Sequence, residues 1–303
     1  MKRNFSFVDL FCGAGGFSYG FKKAGFRHLL GIDIECRLKE TYEWNVGKFL
    51  CKDIRKVSGE EIIREAGEKP DVIIGSPPCQ GFSSSNTKAW SRRKFDRRNF
   101  LIFEFARIVN EINPEAFLME NVASLTYKPF RKFFEKFLES FSEWNVKWKV
   151  LKSCDYGVPQ VRRRVFVMGF RSREPSFPSP LEKKTYPRDV LNDLVNIPKL
   201  DEMHIRYVVT AKKIPEKITY KSQAYRVKSD SFTIAVMHRS EFIHPFYDRF
   251  LTLREYARLQ TFPDDFRFFG TKSFVKRFIG EAVPVNLAYV LGAHVRRILE
   301  GKA

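Results

Sequence analysis

Asp71-Val72-Ile73-Ile74-Gly75-Ser76-Pro77-Pro78-Cys79-Gln80 passes from a short apolar run, through two prolines, to a thiol. Such a run reads as a strand buried on both faces, hence a parallel sheet, and open α/β sheets place their chemistry at the carboxyl ends of these strands. Pro77 and Pro78 fix φ and remove two backbone donors, so the chain leaves the strand stiffly and holds the next side chain in one orientation. That side chain is Cys79. A thiol alone is more often a small buried hydrophobe than a nucleophile, so the catalytic reading depends on the rest of the chain.

Upstream, Phe5 to Phe11 is a strand candidate that runs into Cys12-Gly13-Ala14-Gly15-Gly16, after which Phe17, Tyr19, Phe21 and Ala24 recur at helical spacing. A strand, a glycine turn and a helix form the entry to a nucleotide-type site, because glycines let backbone amides approach a ligand at the helix N-terminus. Ser18 stands where the dinucleotide fingerprint has its third glycine, and glycine turns also serve packing alone. A second strand, Arg27 to Ile32, ends in Asp33, about 20 residues after the turn, where such sites place a carboxylate on ribose hydroxyls. A surface Asp in a βα loop is the competing reading. A helix near Arg37 to Trp44 and a short strand reaching Cys51 follow, and Asp53-Ile54 adds a second acidic candidate to the same cleft.

Downstream, the loop from Ser83 to Asn99 carries Lys88, Arg92, Arg93, Lys94, Arg97 and Arg98 against Asp96, with Trp90 and Phe95 interleaved. Mixed basic and aromatic residues suit phosphate contact and base wedging, so this loop, with Gln80 and Ser83 at its start, is the candidate nucleic-acid surface. Leu101 to Ile112 reads as an amphipathic helix stopped by Asn113-Pro114. Ala116 to Met119 is another buried strand, and it ends in Glu120-Asn121-Val122. A carboxylate there is desolvated and suited to share a proton with a substrate; a structural ion pair is the alternative. Phe130, Phe133, Phe134, Phe137 and Phe141 repeat at helical spacing and read as core. Trp144 to Leu151 and Arg164 to Phe170 are further strands, and alternation puts Arg162 and Arg164 on one face and Arg163 on the other. From about Arg171 prolines replace periodicity through Lys228, marking a second, smaller domain. Order returns at Ser231 to Ile234, in a helix from Leu253 to Leu259, and in an amphipathic helix from Val285 to Leu299.

Charged residues make up 29% and hydrophobic ones 44% of the 303 positions, an ordinary globular balance. No apolar stretch approaches the ~18 residues that span a bilayer, and no signal-peptide pattern opens the chain, so a cytoplasmic protein without membrane contact is expected. Cysteines at 12, 36, 51, 79 and 154 are odd in number and never in a Cys-x-x-Cys pair, which argues against a metal site and a disulfide framework. The net charge of +19 makes a polyanion the natural partner. Glutamine occurs only at 80, 160, 223 and 260 while Lys, Arg and Glu abound, a bias seen in proteins from hot environments.

Taken together these motifs resemble the cytosine-C5 methyltransferases, which use S-adenosylmethionine. Asp9-Leu10-Phe11-x-Gly13-x-Gly15-Gly16 is similar to the family's cofactor loop, Pro77-Pro78-Cys79-Gln80 to its nucleophile motif, and Glu120-Asn121-Val122 to its substrate motif. Gln160-x-Arg162-x-Arg164 resembles the motif whose arginines reach the target pyrimidine, and Arg254-Glu255-x-x-Arg258-Leu259 with Pro263-Asp264 the segment that organises target recognition. The resemblance covers nearly the whole chain except about Ser172 to Lys228. One motif departs: the usual Gly-Asn-(Ala/Ser)-Val-Pro is here Gly280-Glu281-Ala282-Val283-Pro284.

The resemblance implies a doubly wound, mostly parallel, Rossmann-like α/β domain of residues 1–170 completed from about 275 to 303, with a small irregular target-recognition domain from about 171 to 274. It implies Cys79 as nucleophile, Glu120 on the target base, and Arg162 and Arg164 beside it. It places S-adenosylmethionine, with S-adenosylhomocysteine as product, among Phe11, Gly13, Gly15, Asp33, Ile34, Asp53, Ile54, Pro78, Glu281 and Ala282. No metal is implied. A monomeric prokaryotic enzyme on duplex DNA, of the restriction-modification kind, is the leading expectation. The same chemistry on RNA, and a non-catalytic nucleic-acid-binding protein or a dehydrogenase, remain alternatives.

Overall fold

The computed structural model describes residues 3–78, 97–191, 224–237 and 241–302. Contacts divide the chain into one unit of Met1–Leu151, Arg163–Ser179 and Ala288–Ala303 and another of Lys152–Arg162 and Pro180–Leu287.

The first unit alternates strand and helix: β1 (Ser6–Leu10), α1 (Gly16–Lys23), β2 (Arg27–Asp33), α2 (Lys39–Asn45), β3 (Phe49–Cys51), α3 (Gly59–Ala66), β4 (Val72–Gly75), α4 (Leu101–Ile112), β5 (Ala116–Val122), α5 (Arg131–Glu139) and β6 (Asn145–Lys152). After β7 (Gln160–Val161), which belongs to the second unit, β8 (Arg163–Phe170) completes a seven-stranded sheet of order β3-β2-β1-β4-β5-β8-β6. β1 to β5 run parallel and β8 antiparallel to β5, so the fold is α/β with a mostly parallel sheet. The chain moves outward from β1 to β3 and then returns to the other side at β4. This reversal opens a crevice at the carboxyl ends of β1 and β4, where open α/β sheets bind ligands.

The run that suggested the fold is fully buried, from Val72 to Gly75. At its end a Cβ on Gly75 would stand 2.6 Å from the Leu10 carbonyl oxygen and 2.8 Å from Phe105 Cε2, so glycine alone lets β4 lie this close to β1 as the chain turns out. α4 occupies the predicted span, and Asn113 (φ 53°) ends it in the left-handed region. Of the phenylalanine stripe, Phe134, Phe137 and Phe141 are buried, while Phe130 and Phe133 are partly buried against the same cluster. Phe141 stacks on Phe117 of β5 at 4.3 Å, so the stripe is core. The last helix, Val285–Leu299, returns to this unit along α1: Arg296 Nη1 donates to the carbonyls of Ala24 and Gly25 at 3.2 and 3.0 Å, filling the acceptors left where α1 ends.

The cysteines correct one expectation. Cys36 and Cys51 form a disulfide with Cα atoms 5.1 Å apart. Their spacing carries no signal; parallel pairing of β2 and β3, with Asp33 opposite Cys51, brings them together. The only span apolar enough by composition to cross a membrane among the described residues, Lys272–Leu299, has 61% of its window buried and is two helices separated at 282–284.

Among its described residues the second unit is tied together by short strand pairings and polar side chains. Thr233–Ile234 pairs with β7, and Glu241–Ile243 with Ala224–Arg226. Helix Leu253–Leu259 begins with a capping box of Thr252 and Glu255, and Glu255 also takes a two-pronged bond from Arg249, 2.7 Å at each oxygen. Arg258 binds Asp264 at 2.7 and 2.5 Å, and Arg254 Nη1 donates to the Phe266 carbonyl at 3.0 Å. The polar residues of Arg254-Glu255-x-x-Arg258 thus fold the unit's own loops around one short helix.

Candidate active site

On the β1 side of the crevice the chain turns sharply. Phe11 has φ 60° without being glycine, and Gly13 and Gly15 have φ 53° and 92°. Gly13 N–H donates to Asp33 Oδ2 at 2.9 Å, and Glu35 N–H to Asp33 Oδ1 at 2.9 Å, so one carboxylate clamps the glycine turn to the end of β2. Burial pushes the Asp33 carboxyl up, and the amides of Glu35 and Gly13 pull it back. Among the described residues, its two chain neighbours aside, no atom lies within 4 Å of where a Cβ on Gly13 would stand, and Ile34 is 65% exposed, an unusual position for a large apolar side chain. Asp53 is less open. Its oxygens are engaged by Arg55, which lowers its pKa, and it caps the turn Ile54–Lys56. Ile54, expected at the cofactor, is buried in the core.

Sequence reasoning missed the support behind this turn. Ser18 Oγ donates to Asp9 Oδ2 at 2.5 Å and lies 2.7 Å from Tyr42 Oη, which is 3.0 Å from His28 Nε2. The residue at the place of the third glycine is therefore used for its hydroxyl. Tyr42 also packs where Cβ atoms on Gly15 and Gly31 would be, at 3.1 and 2.3 Å. The available signal was Asp9 itself, a carboxylate inside an apolar strand. Asp9 Oδ1 has no hydrogen-bond partner among the described residues, and burial pushes the group up to about 7.

A testable pH dependence follows. Folded Asp9 keeps a proton that the unfolded chain loses near 3.8, so its contribution to stability is complete below that value and lost as pH rises through about 7. Asp9→Asn removes this loss. The stability of Asp9→Asn minus that of the parent should rise by about 4 kcal/mol between acid and slightly alkaline pH, measured by urea unfolding. A difference independent of pH would show that folding does not raise the Asp9 pKa.

On the β4–β5 side, Asn121 Nδ2 donates to the Pro77 carbonyl at 3.1 Å in a buried contact. This bond fixes the end of β5 against the segment Ser76-Pro77-Pro78, which runs directly into Cys79. Glu120, 6% exposed, accepts from Arg164 Nε at 2.8 Å. The antiparallel register puts Arg164 opposite Val122 and Phe166 opposite Glu120, so the pair is a diagonal one across β5 and β8. Cys79, Gln80, Ser83, Lys88, Arg92 and Arg93 lie outside the described residues, and Arg97 and Arg98 open the helical turn Arg97–Phe100.

Arg162 departs from the simple alternation. It falls between β7 and β8, is 3% exposed, and donates within the second unit to the carbonyls of Val236, Gly280 and Glu281 at 3.2, 2.8 and 3.3 Å. The Glu281 side chain pairs instead with Arg277 at 3.0 Å, and the Ala282 carbonyl accepts from Gln260 at 3.3 Å. The segment with the acidic departure thus contributes backbone carbonyls to this network, which a change of side chain leaves in place.

The described residues thus join a mostly parallel α/β sheet, a glycine turn clamped by a carboxylate and a Glu–Arg pair at the ends of the central strands. The sequence matches the C-5 cytosine-specific DNA methylase family over residues 5–231 and 204–297. The Type II methyltransferase M1.HphI of Haemophilus parahaemolyticus is 33% identical over 97% of this chain and 87% of its own length. The Type II methyltransferase M.MthTI of Methanothermobacter thermautotrophicus is 34% identical over 98% and 99%. Among solved structures, a candidate DNA modification methyltransferase encoded in an Escherichia coli prophage has a similar fold, with TM-score 0.78 and 24% identity over 98% of this chain and 99% of that one. The chain belongs to the C-5 cytosine-specific DNA methylase family.

Proposed function

We propose that this chain transfers a methyl group from S-adenosylmethionine to C5 of cytosine in duplex DNA, through a covalent bond between Cys79 and C6 of a base turned out of the helix. The observation that carries the reading is the pair of buried Glu120 with partly buried Arg164 beside Asn121, whose side chain holds the Pro77 carbonyl just before Pro78-Cys79.

The first unit's residues fit the cofactor. The Asp33 carboxylate accepts from the amides of Gly13 and Glu35, with the Ile34 amide also turned to it, and has lone-pair capacity left for a ribose hydroxyl, while exposed Ile34 offers an apolar surface for an adenine. α1 begins at Gly16 with no side-chain cap, so its amides suit the carboxylate of the methionine moiety. The cofactor supplies an electrophilic methyl group. Cytosine C5 is too weak a nucleophile to take it unaided, so the Cys79 thiolate adds at C6 and pushes electron density towards C5. Glu120, oriented by Arg164, holds N3 and the exocyclic amine and stabilises the charge that develops on the ring. After methylation the C5 proton leaves and Cys79 is expelled. A stacked base exposes neither face to attack, so the nucleotide is flipped at a cost of a few kcal/mol.

Purified protein, S-adenosylmethionine labelled in the methyl group, and either duplex DNA or RNA test the reading. Nuclease digestion should yield 5-methylcytosine from DNA; label found only in RNA would replace the substrate, and label in neither would overturn the activity. The charge of +19 carries a second expectation. Affinity for duplex DNA should fall with salt with a log–log slope of several units, and Arg92, Arg93, Arg97 and Arg98 replaced together by Ala should make it shallower, since each phosphate contact contributes about 0.9. Filter binding across a salt series measures this; a flat dependence would remove the electrostatic argument.

A further inference from the structure

We propose that Cys36 and Cys51 form a redox-modifiable clasp on the cofactor site, closed as a disulfide and opened by a small dithiol. The proposal rests on the reading of Asp33 and Ile34 as cofactor contacts.

The disulfide joins two segments that meet beside those residues. β3 is a three-residue strand at the edge of the sheet, paired only with β2 in the order of strands, and its last residue, Cys51, is the register partner of Asp33. Cys36 begins the turn Cys36–Leu38, immediately after Glu35, whose amide fixes Asp33 Oδ1. The Cys36 and Cys51 sulfurs lie 4.0 and 3.7 Å from the Ile34 carbonyl oxygen. The bond therefore closes over Asp33-Ile34-Glu35. The 15-residue span it shuts also contains α2, with Tyr42 against the glycine turn. When the bond is open, the short edge strand and the turn after Asp33 must be ordered by the ligand, and that ordering is subtracted from affinity.

Access favours attack at one sulfur, because Cys36 is exposed and Cys51 is half-buried. One thiolate of the dithiol attacks Cys36 Sγ and displaces Cys51 as a thiolate. The second thiolate then attacks the dithiol's own sulfur in the mixed disulfide and frees Cys36. Two electrons pass to the protein pair, the dithiol becomes a cyclic disulfide, and its two protons end on Cys36 and Cys51. A low-molecular-weight disulfide runs the exchange in reverse. The compositional bias towards hot environments agrees with a disulfide in such a chain, since intracellular proteins of hyperthermophiles retain them.

The test uses the full chain with Cys79 unchanged and reads binding, because oxidation of Cys79 would stop turnover by itself. After incubation with oxidised glutathione, non-reducing peptide mapping should find Cys36 linked to Cys51, and dithiothreitol should remove the link. Calorimetric titration with S-adenosylhomocysteine should then show binding about tenfold weaker in the reduced protein. Cys36→Ser and Cys51→Ser should bind like the reduced protein with or without dithiothreitol. Absence of a mapped link overturns the clasp. So does equal affinity in the two forms with the link mapped, even if reduction lowers the melting temperature, since a merely stabilising crosslink would do that. Failure of both forms to bind overturns the cofactor reading, and the clasp's role with it.

Discussion

Incubated with S-adenosylmethionine and duplex DNA carrying 5-fluorocytosine at its target, the protein should be trapped in an adduct that survives denaturant, with Cys79 in the cross-linked peptide. Release of the thiol requires a proton to leave C5 after methylation, and fluorine cannot leave in its place. Cys79→Ser should give no adduct while binding DNA as before, because an unactivated hydroxyl is a far poorer nucleophile than a thiolate and the phosphate contacts proposed above lie on basic residues elsewhere. Intact-mass analysis and peptide mapping decide the outcome. An adduct on Cys12 or Cys154, both buried and with thiols pushed up by burial, would mean that Pro77-Pro78-Cys79 had been misread. An adduct only with RNA would keep the chemistry and move the substrate.

The elements that frame this chemistry were legible because one short-range signal sufficed for each. The apolar run Val72–Gly75 and the helix Leu101–Ile112, stopped by Asn113-Pro114, announce themselves by period and breaker, and both stand where those signals put them. Asp33 closes β2 and Glu120 lies two residues before the end of β5, positions that the apolar runs before them made readable. What escaped depends on register between segments far apart in sequence. Nothing near Ser18 tells that its hydroxyl meets Asp9, and nothing near Cys36 tells that β3 will carry Cys51 alongside it. Arg162 to Arg164 illustrates a different failure. Alternation assumes one continuous strand, and here the strand breaks at Arg162, which turns into the second unit to serve three carbonyls. Among the described residues of that unit the strand pairings are two or three residues long, too short for any period to show.

Glu120→Gln should lower the rate of methyl transfer by about a thousandfold while leaving cofactor binding and the fold in place. The substitution keeps the shape of the side chain and its capacity to accept from Arg164 Nε, at 2.8 Å in the parent, but removes the negative charge that both Arg164 and the ring face. In the proposed mechanism that charge holds a proton on N3 as Cys79 adds, so its loss should act on the transition state more than on ground-state binding, and kcat rather than KM should carry the change. Arg164→Ala separates chemistry from architecture. It leaves a carboxylate only 6% exposed without its partner, so it should cost about 3–5 kcal/mol of stability in addition to activity. Single-turnover methylation with urea unfolding on both variants resolves the two effects. If Glu120→Gln lost stability as Arg164→Ala does and retained its single-turnover rate, the pair would be an ordinary buried ion pair between β5 and β8. The target base would then have to be held by other residues.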